Sequence, residues 1–130
     1  MARRLAGDFE GICDTHKYPA LGAEIGAAPV LRRLADLGHK LILYTMRSGE
    51  ALLPAMDWFS AHGIALHGCN SNPEQQSWTE SPKVFAHMYI DDAALGCPLI
   101  YPATGRPYVD WDEVARLLQN LGVLEPEIAA

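Results

Sequence analysis

Two carboxylates one residue apart, Asp8 and Glu10 in the stretch Asp8-Phe9-Glu10-Gly11, sit where a short strand runs out. Acids at i and i+2 converge on a cation, or divide nucleophilic and proton-transfer work, if the backbone between them turns tightly. Gly11 permits that turn. Three further candidates follow along the chain: Thr45 after Leu41-Ile42-Leu43-Tyr44, Lys83 in a polar stretch, and the pair Asp91-Asp92 after His87-Met88-Tyr89-Ile90. Together these residue types suit phosphoryl chemistry. A carboxylate attacks phosphorus to give an aspartyl-phosphate intermediate, and a neighbouring acid protonates the leaving oxygen and then activates water. Mg²⁺, a hard ion that prefers oxygen ligands, screens the carboxylates from the phosphate dianion. A hydroxyl and an ammonium hold the remaining phosphate oxygens.

Such groups need a scaffold that brings them to one rim, and the hydrophobic pattern supplies one. Leu5-Ala6 is a weak strand signal, accepted because the later order of elements requires it. Apolar residues at Ile25, Val30, Leu31, Leu34 and Leu37 predict a helix over 24–37 with one buried stripe, stopped at Gly38. Residues 40–44 form a continuous apolar run of strand length, expected for a strand buried on both faces. A second helix over 50–62 turns Leu52, Leu53, Met56 and Phe59 inward, with Pro54 in its first turn and Gly63 after it. Residues 64–67 read as a third strand, 69–82 as a long polar loop with room for a helical turn, and 87–90 as a fourth strand. A short fifth strand over 98–101 and a helix over 111–121, with Val114, Leu117, Leu118 and Leu121 on one face, complete the domain. Residues 13–22 read as an irregular excursion, and residues from about 124 to 130 as a loose tail.

This order predicts an α/β fold: a Rossmann-like three-layer sandwich around a mostly parallel sheet, in one domain over 1–130 without a large cap. In such sheets the site lies beyond the carboxyl ends of the strands, where Asp8, Thr45 and Asp91 all fall.

Composition narrows the function classes. The chain has 130 residues, 49% hydrophobic and 20% charged, with a formal net charge of −6, which argues against nucleic acid as the main partner. Three widely spaced cysteines suit reduced thiols in a cytoplasmic protein, and no apolar run approaches membrane-spanning length. The five histidines and three cysteines form no recognisable set of zinc ligand pairs. Trp58, Phe59 and Tyr89 read as core or core edge, and the exposed candidate for substrate contact is Trp78.

In their order, Asp8-Phe9-Glu10-Gly11, Thr45 after its apolar run, Lys83 and Ile90-Asp91-Asp92 resemble the four motifs of the haloacid dehalogenase (HAD) superfamily, over roughly residues 5–118. His16-Lys17-Tyr18-Pro19, Tyr44-Thr45-Met46-Arg47, the stretch 70–73 and Pro82-Lys83 are similar to small capless phosphatases of that superfamily from bacteria and phages. The resemblance implies that Asp8 is the nucleophile and a Mg²⁺ ligand. Glu10 takes the general acid/base position and offers its backbone carbonyl to the metal. Thr45 binds a phosphate oxygen, and Lys83 neutralises nucleophile and phosphate. Asp91 ligates Mg²⁺ directly, while Asp92 ligates through water or orients the site. Arg47 is a candidate grip for an anionic substrate, with a salt-bridged surface arginine as its bland counterpart.

The expected activity is Mg²⁺-dependent hydrolysis of a small phosphorylated metabolite. An open site favours a broad substrate range or closure by a second subunit, so self-association belongs to the expectation. Two departures matter: the family's second acid is usually Asp, one methylene shorter than Glu10, and the residue after Gly11 is usually Thr or Val rather than Ile12. They motivate an alternative, an attenuated metal- and phosphate-binding module. A receiver-like phosphoacceptor domain is a further rival, disfavoured because its acidic pair follows the first strand and its acceptor the third.

Overall fold

The computed structural model describes residues 2–13 and 22–126. The excursion read at 13–22 lies almost entirely outside the described residues. Four parallel strands form the sheet: β1 (Arg4–Gly7), β2 (Lys40–Leu43), β3 (Gly68–Cys69) and β4 (Met88–Ile90), in the order β3-β2-β1-β4. Helices α1 (Ala27–Asp36) and α2 (Leu52–Ala61) carry the chain from β1 to β2 and from β2 to β3. The chain then returns past β1 to reach β4, so the direction of travel reverses between β1 and β4. A separate antiparallel hairpin, β5 (Leu99–Ile100) with β6 (Tyr108–Val109), precedes helix α3 (Trp111–Asn120). The molecule is a Rossmann-like α/β fold, with the sheet between two covering layers.

Strand alternation explains the layers. Leu5, Leu41 and Leu43 point to one face and join a single core with Leu31 and Leu34 of α1, Trp58 and Phe59 of α2, and Val114 and Leu118 of α3. Ala6 and Ile42 point to the other face and pack under Val84 and Ala86. That second cover is therefore a loop with one 3₁₀ turn, Gln75–Ser77, in place of a helix. Amides hold it in shape: buried Gln75 donates to the carbonyls of Ser81 (3.3 Å) and Lys83 (2.7 Å) and accepts from the Phe85 N–H (2.8 Å). The Glu74 carboxylate ties the same loop to the sheet through Arg4 (2.6 Å) and His67 (2.7 Å). No helix among the described residues is long and apolar enough to cross a membrane.

Several expected details are corrected. The third strand lies at Gly68–Cys69, paired with Ile42 and Leu43, rather than at 64–67. Ile64 instead closes the end of α2: its N–H bonds the Phe59 carbonyl at 2.9 Å and its side chain is buried, the hydrophobic contact that accompanies a glycine helix stop. Gly38 and Gly63 do end α1 and α2, through paired bonds to the last turns. The fifth strand leaves the parallel sheet and pairs with residues 108–109, where no strand was expected.

The buried stripe of α2 is rotated from the one read, whereas Val30, Leu31 and Leu34 of α1 and Val114 and Leu118 of α3 are buried as expected. In α2, Ala55, Trp58 and Phe59 are buried while Leu53 and Met56 are exposed; Leu117 of α3 and the residues just past α1 and α3, Leu37 and Leu121, are exposed too. Small alanines let backbones approach, and Trp58 and Trp111 bring more apolar area to the core than a leucine does. The tail starts later than read: Leu124 is buried, with its N–H on the Leu118 carbonyl (3.2 Å), and residues 127–130 lie outside the described ones.

Candidate active site

Register alone brings the acids together. Gly7 pairs with Leu43 on one side and with Ile90 on the other, so the next residues along, Asp8, Tyr44 and Asp91, stand side by side at the carboxyl rim. Adjacent strands are about 4.8 Å apart. This rim is also where the sheet reverses direction, the place such folds leave a crevice.

Phe9 is the anchor for the two acids. Its side chain is fully buried, packed edge-on against Trp58 at 5.8 Å between ring centroids and tilted against Phe59 at 6.3 Å. With Phe9 pointing into the core, its neighbours Asp8 and Glu10 stay partly exposed. The chain then turns as the sequence implied. Gly11 has φ 76°, the Cys13 N–H bonds the Phe9 carbonyl at 2.8 Å, and the Val109 N–H bonds Gly11 at 2.7 Å. The indole N–H of Trp111 holds the Ile12 carbonyl.

Asp8 is half-buried, and its Oδ1 accepts from the Phe9 N–H at 2.7 Å. Burial pushes its carboxyl above the ordinary value of 3.8; the Phe9 N–H and the Thr45 hydroxyl pull it down, and the charges of Glu10 and Asp91 push it up again. Four sequence-predicted groups thus act on one carboxyl or are that carboxyl: Asp8, Glu10, Thr45 and Asp91.

Thr45 does not cap α2. Its Oγ1 accepts from the Arg47 N–H at 3.1 Å, and its own N–H donates to Oδ1 of Asn70 at 2.8 Å. Asn70 is the site residue that sequence reasoning missed. It follows β3, its N–H bonds the Leu43 carbonyl at 2.7 Å, and it is the one described non-glycine residue with positive φ, 54°. Asparagine tolerates that left-handed geometry better than most residues, so an Asn just past a strand was the available signal.

Asp91 accepts from the Ala93 N–H at 2.9 Å, and its carbonyl from the Ala94 N–H at 3.0 Å. These two bonds form a tight turn at Asp91, and no helix follows it. Asp92 lies beside it, and both acids press on the Cys97 thiol, which burial already pushes up.

Arg47 and Glu10 have the most consequential placement. Arg47 is 1% exposed. Its Nε is ion-paired to Glu10 Oε1, Nη1 donates to the Ala51 carbonyl at 2.7 Å, and the guanidinium lies 5.1 Å from the centre of the Phe9 ring. Both the substrate grip and the surface salt bridge considered for Arg47 give way to an interior ion pair.

Lys83 is exposed, its Nζ 5.8 Å from the centre of the Tyr89 ring, and among the described residues no ion pair joins it to Asp8. Trp78 packs edge-on against Phe85 at 6.0 Å. A polar cleft of about 560 Å³ runs from Asn70 past Gln75 and Thr79 to Pro82.

Among the described residues no three His, Cys, Asp or Glu side chains gather into a metal-holding group. Mg²⁺ does not need three, because it keeps several waters and takes one or two carboxylates alongside substrate phosphate. Two half-exposed acids that repel each other across a β1–β4 rim are a donor set of that kind.

Fold and site together define an α/β protein whose acids and hydroxyl meet at the carboxyl rim of a parallel sheet. A conserved protein of Bacteroides thetaiotaomicron, known from its solved structure, is 32% identical to this chain, with a TM-score of 0.76 and a match covering 93% of each. The chain belongs to the same family as that conserved protein. No protein-family model matches the chain, and no curated protein does.

Proposed function

We propose that this protein is a Mg²⁺-dependent phosphatase of the HAD type, hydrolysing a small phosphorylated metabolite through an aspartyl-phosphate on Asp8. The observation that supports it is the convergence on the Asp8 carboxyl of Thr45 and Asp91, far from it in sequence, and of its near neighbour Glu10, each of a type the reaction uses. Asp8, Asp91, the Glu10 carbonyl and, through water, Asp92 would hold the ion. Bound there, Mg²⁺ would neutralise the charge between carboxylates and phosphate.

The chain's own groups do the remaining work. The Phe9 N–H fixes the rotation of the Asp8 carboxylate, which is the condition for in-line attack. Asn70 fixes the Thr45 backbone, so that its hydroxyl has a set position from which to donate to a phosphate oxygen. Gln75 fixes the Lys83 carbonyl, leaving the four-carbon stem free to carry its ammonium to the incoming dianion. The cysteine usage and the charge fit a cytoplasmic protein, and closure of the open rim by a second copy belongs to the same proposal.

Purified protein with Mg²⁺ is expected to release phosphate from 4-nitrophenyl phosphate, and Asp8→Asn to abolish the release. A wild type inert towards aryl phosphates and a broad panel of phosphometabolites would overturn the hydrolase reading. A second reading, a metal- and phosphate-binding module without turnover, is favoured by the engagement of Glu10 with Arg47. Calorimetric binding of Mg²⁺ and phosphate by an inert protein would select it.

A further inference from the structure

We infer that the polar cleft beside the rim is the subsite for the substrate's leaving group, and that it takes a neutral, hydroxyl-rich one: a polyol or sugar carrying a single phosphate. The inference rests on the phosphatase reading above and specifies its substrate class. Both groups assigned there to phosphate oxygens are tied to residues that line this cleft. The Thr45 N–H is on Oδ1 of Asn70 at 2.8 Å, and the Lys83 N–H is on Oγ of Ser81 at 3.3 Å. A phosphate held by Thr45 and Lys83 therefore has the cleft next to it. Its volume of about 560 Å³ lies within the range of small-molecule sites, roughly 300–1,000 Å³.

The chemistry of the lining selects the class. Two of its amides are spent on the loop itself. Asn72 accepts from the Glu74 N–H at 3.2 Å, and Gln75 donates to the carbonyls of Ser81 and Lys83, so these side chains set the shape of the wall. The hydroxyls of Thr79 and Ser81 each accept from a backbone N–H, that of Ser81 at 3.1 Å and that of Lys83. An accepting hydroxyl keeps its own proton. Among the described residues neither hydroxyl donates it, so both are left to donate to a ligand oxygen. The exposed amide of Gln76 adds both donors and an acceptor. Among the described residues lining the cleft, Glu80 is the one charged side chain. It accepts from hydroxyls and repels a second anionic group. Donors and acceptors mixed around one carboxylate suit the hydroxyls of a polyol, each of which donates and accepts. They do not suit a leaving group that carries a carboxylate or a second phosphate.

The test compares kcat/KM with Mg²⁺ for matched esters, with 4-nitrophenyl phosphate as the common reference. Glucose 6-phosphate is set against 6-phosphogluconate, and glycerol 3-phosphate against 3-phosphoglycerate and propyl phosphate. The neutral polyol is expected to lead, by about 2–10-fold over the alkyl phosphate that lacks its hydroxyls and by about 5-fold over the carboxylate at low salt. The second margin should shrink as salt is raised and close in Glu80→Gln. Gln76→Ala should lower the ratio of glucose 6-phosphate to 4-nitrophenyl phosphate turnover by about 2–10-fold. Both substituted side chains are exposed, and the wild-type series stands without them. Propyl phosphate matching glycerol 3-phosphate, or a carboxylate margin that Glu80→Gln leaves in place, would overturn the inference while leaving the phosphatase reading intact. Inertness towards every ester, 4-nitrophenyl phosphate included, would overturn both.

Discussion

At the scale of single residues, Phe9 separates two acids with different fates. Asp8 is left at the rim with one backbone donor, and Glu10 is bound to an interior cation. Removing one partner of a buried ion pair costs about 3–5 kcal/mol, a large share of the 5–15 kcal/mol typical of a whole domain. Glu10→Ala should therefore destabilise the protein by about 3–5 kcal/mol in urea unfolding. Arg47→Met should cost less, because Glu10 keeps an edge to water and Arg47 has none. Equal losses would mean that the pair is not desolvated on the arginine side.

Asp8 makes the opposite prediction. Its carboxyl is raised above 3.8, chiefly by burial, so in metal-free solution the folded state binds its proton more tightly than the unfolded state. Stability from this group is then present at low pH and lost as pH rises from about 3.8 through the folded value. Asp8→Asn, which cannot ionise, should raise the melting temperature at pH 7 in EDTA, and the gain should vanish below the ordinary carboxylate range. An acid that lowers the stability of its own fold is what a functional position predicts and a structural acid does not.

At the scale of elements, the two covers of the sheet are held by different physics. The helices bury apolar stripes, whereas the 70–87 loop relies on Gln75, Asn72 and the Glu74 pairs around only Val84 and Ala86. β3 is the joint between them. A Cβ at Gly68 would lie 2.1 Å from the Ser71 carbonyl oxygen, a backbone atom that no rotamer change can move. Gly68→Ala should cost about 1–3 kcal/mol, as overpacking does, measurable by denaturant midpoint. It should also lower any phosphatase rate beyond the folded fraction, because Ser71 adjoins Asn70 and Asn70 positions Thr45. Unchanged stability and rate in Gly68→Ala would show that the loop has slack.

At the scale of the molecule, the reversal between β1 and β4 is what creates the site. Asp8 and Asp91 are 83 residues apart in sequence and neighbours at the rim, and their mutual repulsion persists unless a cation enters. Mg²⁺ at a hundredfold excess over its dissociation constant should stabilise the wild type by about 2.7 kcal/mol, seen as a rise in melting temperature. Asp8→Asn and Asp91→Asn should each lose most of that rise. A metal-induced shift that survives both substitutions would place the ion elsewhere.

Much of this was legible in one dimension. Long apolar runs such as Leu41-Ile42-Leu43 specify buried parallel strands, glycines after amphipathic stretches specify helix stops, and the positions of the acids and threonine after those runs place them at the strand ends. Local pattern suffices there because strand burial and helix termination are local events. The pattern failed where several packings satisfy it about equally. Ile64 suits a strand or a helix stop, Leu53 and Ala55 compete for one side of α2, and residues 108–109 become a strand only because Leu99 and Ile100 arrive beside them. The fate of Glu10 and Arg47, 37 residues apart, is of the same kind. By itself the sequence determined which groups are present and which strand ends carry them. Only the tertiary structure decided that Asp8 faces the rim while Glu10 neutralises a buried arginine, since that choice turns on which charge the core removes from water.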